Sequence, residues 1–424
     1  MISRRFKYLP FLFIFILSVT YTVAQEKKMV PSVLGSERVK FRERTDAVVE
    51  KTSSLGLADS TEGKYQEAFW LAQLSLKRND KVFMILQRSF DYYPIATGGF
   101  RRALLEAAYT LYPDSFNARI DTMIRTENEA KLFAMMSHYL VRGGGDKKRI
   151  YALLNSRFTQ WESNPILSSL ALYLTGRRYA KSPPLEGLLK TDVYKGRLII
   201  YSIQRPDRNY PGIAIIRLPD SNFLLENSGK LFYIKQLARS ISNLPGYITN
   251  GNTPTGVFSV QGTAISENIF IGPTLNLQTI LPFEDSTQKF MNNAAFAGKE
   301  FTEQLYNSLL PELWTNSPMI FEAFRAGKAG RNEIIAHGTT IDVSFYKDEL
   351  YYPNTPSLGC LCAPEIWSEE TGELISSEQL RLMDALKSYD LSNALLIVVE
   401  TDDQKKPVDP EEIERLIRGS NSSK

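Results

Sequence analysis

Both cysteines of the 424-residue chain sit two positions apart in NTPSLGCLCAPE, 354–365. On an extended strand, residues i and i+2 share a face about 6.6 Å apart, so a bridge between Cys360 and Cys362 would be strained and easily reduced. Thiol chemistry or simple packing remain. Pro356 sets a rigid approach, and Gly359 immediately precedes Cys360, where a residue without Cβ permits a bend closed to other types. A cysteine there presents its sulfur outward, and adjacent backbone N–H groups can face a developing oxyanion. The thiolate is the nucleophile, so the site needs a base. His337, in IIAHGTT, is the single histidine of the C-terminal half. A thiol after a glycine bend and a lone imidazole at a strand end make a candidate dyad. His337, Cys360 and Cys362 could instead supply three zinc ligands with water as the fourth, although C-x-C is not the usual zinc-knuckle spacing. Cys362 has two further readings, a resolving thiol for an oxidised Cys360 or a small buried side chain.

Order and context add to this. HGT (337–339), followed downstream by SLGC (357–360), resembles the active-site signature of the L,D-transpeptidases, the YkuD-type catalytic domain, and NGNTPTGVFSV (250–260) looks like that family's TPTG-plus-strand block. The resemblance spans roughly 195–400. It implies a nucleophile at Cys360, a base at His337 oriented through the carbonyl of Gly338, and a loop shaped by Ser357 and Gly359. The oxyanion donors would be the N–H groups of Gly359 and Cys360. Substrate contacts are implied at Thr253, Thr255, Gly256 and Thr339. Arg325, Lys328 and Arg331, just upstream of the histidine, form a basic loop suited to substrate carboxylates, with Arg331 nearest the motif.

The implied reaction is acyl transfer on a peptidoglycan tetrapeptide stem through a thioester, giving a cross-link between the third residues of two stems. Water as acceptor would make an L,D-carboxypeptidase, and a protein amine an anchoring enzyme. A catalytically inactive wall-binding scaffold is the alternative outside enzymology. The family uses no metal and no organic cofactor. Two departures stand out: Cys362 occupies a position where the family commonly carries Arg or Asn, and the stretches 283–314 and 339–355 are long. Insertions of this size beside a cleft often form lids or substrate walls.

The elements that must hold these residues fall into two groups. From about 37 to 175 the apolar spacing is helical: DKVFMILQRSF (80–90) with Asp80 as its N-cap, GFRRALLEAAYTLYP (99–113), EAKLFAMMSHYLVRGGG (129–145), RIYALLNSRFTQW (149–161) and PILSSLALYLTG (165–176). Short connections imply antiparallel neighbours, hence an α-helical bundle or short α-solenoid over 25–180 that offers a surface for protein partners. His138 falls off the apolar stripe and reads as a surface or boundary side chain.

KSPPLEGLLK opens a linker over 181–195. Beyond it the period becomes two. GRLIIYSIQ and GIAIIRLP read as a hairpin, 256–264, 333–341 and 394–400 as further strands, and 376–389 as a helix. The expected fold class is therefore α+β and multidomain: a helical domain, then a mainly-β catalytic domain over 196–403, then a tail over 404–424.

Arg4, Arg5 and Lys7 precede an apolar run from Leu9 to Val19, with Thr22-Val23-Ala24 as a cleavage site. This reads as a signal peptide over 1–24, since the uncharged run is shorter than the about 20 residues a membrane helix needs. Retention as an anchor is the other reading. An extracytoplasmic protein, periplasmic or wall-associated, is expected. A net charge of +3 gives no footprint for nucleic acid.

Overall fold

The computed structural model describes residues 29–178 and 183–419; the stretch 1–24 read as a signal peptide and residues 420–424 lie outside the described residues. The N-terminal part is helical, with α1 (Gly35–Ser54), α2 (Glu62–Leu74), α3 (Asp80–Tyr92), α4 (Gly98–Leu111), α5 (Asn117–Met123), α6 (Ala130–Arg142), α7 (Lys147–Arg157) and α8 (Pro165–Leu174). Stacking is progressive. Helix α1 packs on α2 and α3, α2 on α4, α4 on α6, and α6 on α5 and α8.

The N-cap of α3 is Asn79, whose side chain accepts the Val82 N–H at 2.9 Å. Asp80 is instead the first helical residue, where its charge suits the positive end of the helix. His138 is also placed differently from the sequence reading. It is 4% exposed, its Nε2 lies 2.5 Å from the Tyr247 hydroxyl, and burial pushes its pKa down to about 3. Tyr247 and Tyr173, from opposite halves of the chain, flank the ring, and the charges of Lys147 and Arg178 add to the effect of burial.

The C-terminal part is built on a sheet, giving an α+β layout in sequence order. Its strands are β1 (Ile199–Gln204), β2 (Gly212–Arg217), β3 (Ile234–Gln236), β4 (Gly256–Ala264), β5 (Asn276–Ile280), β6 (Ala336–His337) and β7 (Leu361–Cys362). A separate hairpin, β8 (Glu365–Trp367) with β9 (Leu374–Ser377), precedes β10 (Leu395–Glu400). The sheet order is β3-β2-β1-β10-β4-β5-β6-β7. Pairs β1–β10 and β6–β7 are parallel, and the remaining neighbours are antiparallel. Just past β3, Leu237 exchanges two hydrogen bonds with Cys362 of β7, at 2.8 and 2.9 Å. The sheet thereby closes on itself, and both edges are satisfied.

Strand alternation splits the apolar side chains between two cores. Ile200, Leu396 and Val398 join Phe100, Leu104 and Met136 of the helical part in one continuous core. Ile199, Tyr201, Ile397 and Val399 face the other. That second core explains the stretch 283–314, read as a lid: Phe290, Phe301, Tyr306 and Trp314 are buried there, beside Leu188, Leu189 and Tyr194 of the connection between the two parts. The 333–341 strand is also shorter than its pattern suggests. Glu333 takes a left-handed φ of 56°, and the Thr339 N–H goes to the Glu365 carboxylate, so only Ala336 and His337 remain in the ladder.

A buried ion cluster ties the segment just after α8, the sheet and the helix Glu322–Lys328 together. The Glu400 carboxylate lies 3.0 Å from Arg178 and 2.9 Å from Arg208, and Arg178 reaches Glu322 at 2.9 Å. Removing one partner of such a cluster strands a desolvated charge. Glu400→Ala is accordingly expected to destabilise the chain by about 3–5 kcal/mol, read as a lower urea midpoint at unchanged m. A loss under about 1 kcal/mol would show that water already reaches Arg208.

Candidate active site

The loop before β7 is pinned at both ends. The Ile241 N–H donates to the Ser357 carbonyl at 2.8 Å, and the Leu237–Cys362 pair holds the other end. Between them the Ser357 hydroxyl accepts the Gly359 N–H at 3.0 Å and donates to the Cys360 carbonyl at 2.8 Å. Gly359 sits at φ 118°, and a Cβ there would lie 2.3 Å from Arg331 Nη2 and 2.5 Å from the Gly251 carbonyl. Thr253 donates its hydroxyl to the Gly359 carbonyl at 2.9 Å. Of the two N–H groups expected to serve an oxyanion, that of Gly359 is thus committed to Ser357. The Cys360 N–H has no acceptor among the described residues.

His337 reaches the same place through β6. The parallel register sets Ala336 against Leu361 and His337 against Cys362. The imidazole is 4% exposed, with Nδ1 against the Gly338 carbonyl. A carbonyl only accepts, so Nδ1 carries the hydrogen, and neutral imidazole keeps its lone pair on Nε2. Burial holds the His337 pKa below its ordinary value, and the Gly338 bond offsets part of that. Gly338 leaves no room for a side chain: a Cβ would lie 2.3 Å from Glu365 Oε2. That oxygen accepts the Thr339 N–H at 2.9 Å.

The Cys360 thiol points at the Glu333 carbonyl, 3.4 Å away. Burial pushes its pKa up, while the Ile335 N–H and the Arg331 charge pull the other way. The resting sulfur is therefore a neutral thiol. It is not hydrogen-bonded to the imidazole in this structure, and the two groups meet as walls of one cavity of about 320 Å³.

Cys362 takes no part. It is 1% exposed, its sulfur lies 3.5 Å from the Thr355 hydroxyl, and burial pushes its pKa up to about 12. A thiol so placed is a poor resolving group, and among the described residues no three His, Cys, Asp or Glu side chains are arranged to hold a metal.

The other sequence-derived residues divide. Arg331 lines the cavity, with its guanidinium held by the carbonyls of Ile248 and Gly251. Thr253, Thr255, Gly256 and Thr339 are buried supports outside it. Thr255 bonds the Met319 carbonyl at 2.5 Å. A Cβ on Gly256 would lie 2.4 Å from that of Ala323. Thr339 accepts from Thr355 at 2.9 Å. Arg325 is turned away to Ser169, 3.1 Å distant, and Lys328 is exposed.

Four residues of the helical part, none marked by any spacing, also belong to the site. Trp70 and Leu74 of α2 line the cavity, Lys131 of α6 donates to Thr249 at 2.9 Å, and Glu106 of α4 accepts from Asn250 at 3.2 Å. No family model, curated protein or solved structure matches the chain.

Two outcomes follow from this geometry. Gly359→Ala forces an L-residue into a left-handed conformation, about 1–2 kcal/mol by itself, against the Arg331 guanidinium. The variant is expected to lose more than about 2 kcal/mol in urea unfolding. A loss below about 1 kcal/mol would mean the bend is not so tightly packed. The second concerns pH. A raised thiol pKa means that the thiolate fraction grows only as pH climbs past the ordinary thiol range of about 8–9. Iodoacetamide alkylation of Cys360 should therefore still be accelerating through that range. A plateau below about pH 7 would show an ion-paired thiolate instead.

Proposed function

We propose that the chain is a cysteine acyltransferase of the L,D-transpeptidase type, acting outside the cytoplasm on tetrapeptide stems of peptidoglycan. One observation carries this reading: the half-buried Cys360 thiol and an imidazole with a fixed tautomer line the same cavity, next to a backbone N–H with no acceptor among the described residues. The Cys360 proton passes to His337 Nε2 as the sulfur leaves the Glu333 carbonyl and attacks the carbonyl carbon preceding the terminal D-alanine. The Cys360 N–H supports the oxyanion; a donor of this kind is typically worth about 3–4 kcal/mol of barrier. Collapse breaks the C–N bond, and the imidazolium returns its proton to the departing amine. An amine of a second stem then attacks the thioester, giving its proton to His337, and the sulfur leaves as thiolate to be reprotonated. Water in place of the amine gives the carboxypeptidase reaction.

The neutral resting thiol favours general-base activation over a preformed ion pair, because burial disfavours both charged forms. The same observation supports a second reading, a scaffold that holds the stem without cleaving it.

Carbapenems acylate the thiol of this family, and intact-protein mass spectrometry separates the readings. The wild type and Cys362→Ala should each gain one adduct, and Cys360→Ala none. A folded, reduced wild type that stays unmodified leaves the scaffold.

A further inference from the structure

The cavity that holds Cys360 has two banks made by different parts of the chain. One is the nucleophile loop with Arg331 and His337. The other is α2, which presents Trp70 and Leu74, closed over by Phe270 from the loop between β4 and β5. Trp70 is half-buried, and its ring packs edge-on against Phe270 with centroids 5.3 Å apart. Phe270 is in turn backed by Phe41 of α1 at 6.1 Å. Trp70 therefore gives the cavity an aromatic wall.

Three further contacts tie the helical part to the C-terminal part around this cavity. Tyr346 donates to the Leu74 carbonyl at 2.7 Å, Lys131 fixes Thr249, and Glu106 fixes Asn250; Thr249 and Asn250 line the same cavity.

We infer that the helical part completes the substrate groove, and that Trp70 is a specificity-determining residue which packs on the peptide portion of the acyl donor. The inference rests on the acyl-transfer reading for the identity of that peptide. Its reason is size. At about 320 Å³ the cavity lies at the low end of the about 300–1,000 Å³ usual for ligand sites. A peptide carbonyl that reaches Cys360 therefore brings its neighbouring residues against Trp70. Aromatic walls of this kind supply binding to ground and transition state alike, which appears in KM and leaves kcat nearly unchanged.

Binding of a free tetrapeptide stem, without sugar, is measured by calorimetry on Cys360→Ala, where no turnover occurs. Cys360→Ala/Trp70→Ala should bind at least about tenfold more weakly, and Cys360→Ala/Trp70→Phe should recover most of the loss. In the active protein Trp70→Ala should raise KM for the same peptide by a similar factor, with kcat and the iodoacetamide rate at Cys360 within about threefold. Equal affinity with and without Trp70 overturns the inference while leaving the acyl-transfer reading intact. Failure of Cys360→Ala itself to bind the peptide overturns the assigned substrate, and this use of Trp70 with it.

Discussion

Two hydrogen bonds between Leu237 and Cys362 carry the site, because they join the first and last strands of the sheet and fix where β7 begins. Once that register is set, His337 stands opposite Cys362, and Cys360 falls in the bend immediately before the strand. The spacing C-x-C then has a packing reason. Position 362 faces a tight interior beside Thr355 and Tyr346, and a small, weakly polar side chain fits there. Its neighbour two residues earlier keeps a thiol that lines the cavity. The two cysteines thus look alike in sequence and are physically unlike.

The bend itself is over-determined. Ser357 uses one hydroxyl to tie the Gly359 N–H and the Cys360 carbonyl, Thr253 holds the Gly359 carbonyl, and Arg331 fills the space a side chain would need. Glycine reaches positive φ without a steric penalty, and these contacts select that conformation. Here those contacts leave the Cys360 N–H without an acceptor among the described residues. Arg331 also supplies the nearest positive charge to a sulfur that burial otherwise keeps protonated.

Much of the framework was legible in the residues. The hairpin, β4 over 256–264 and the central helices follow from periods of two and 3.6, and residue type and context singled out Cys360 and His337, which line one cavity. Other features depend on which distant segment arrives. The apolar pattern of 333–341 contains no mark of the turn at Glu333, or of the carboxylate of Glu365 that diverts Thr339. The aromatics of 283–314 read as an insertion near a cleft because their partners, Ile199, Tyr201 and Val399, lie on the far face of the sheet. His138 looked peripheral until Tyr247 covered it. Trp70, Leu74, Glu106 and Lys131 have ordinary helical spacing, and their role arises only from the way the helical part lies against the loop 242–253.

The cooperation of Cys360 and His337 is tested most directly by a single turnover, with enzyme in excess over a tetrapeptide stem and both D-alanine release and the mass of the protein followed. D-alanine should appear together with an acyl adduct on Cys360, and His337→Gln should slow both by at least about a hundredfold. Release of D-alanine at the wild-type rate by His337→Gln, or without any adduct preceding it, would contradict the shared role of these two side chains.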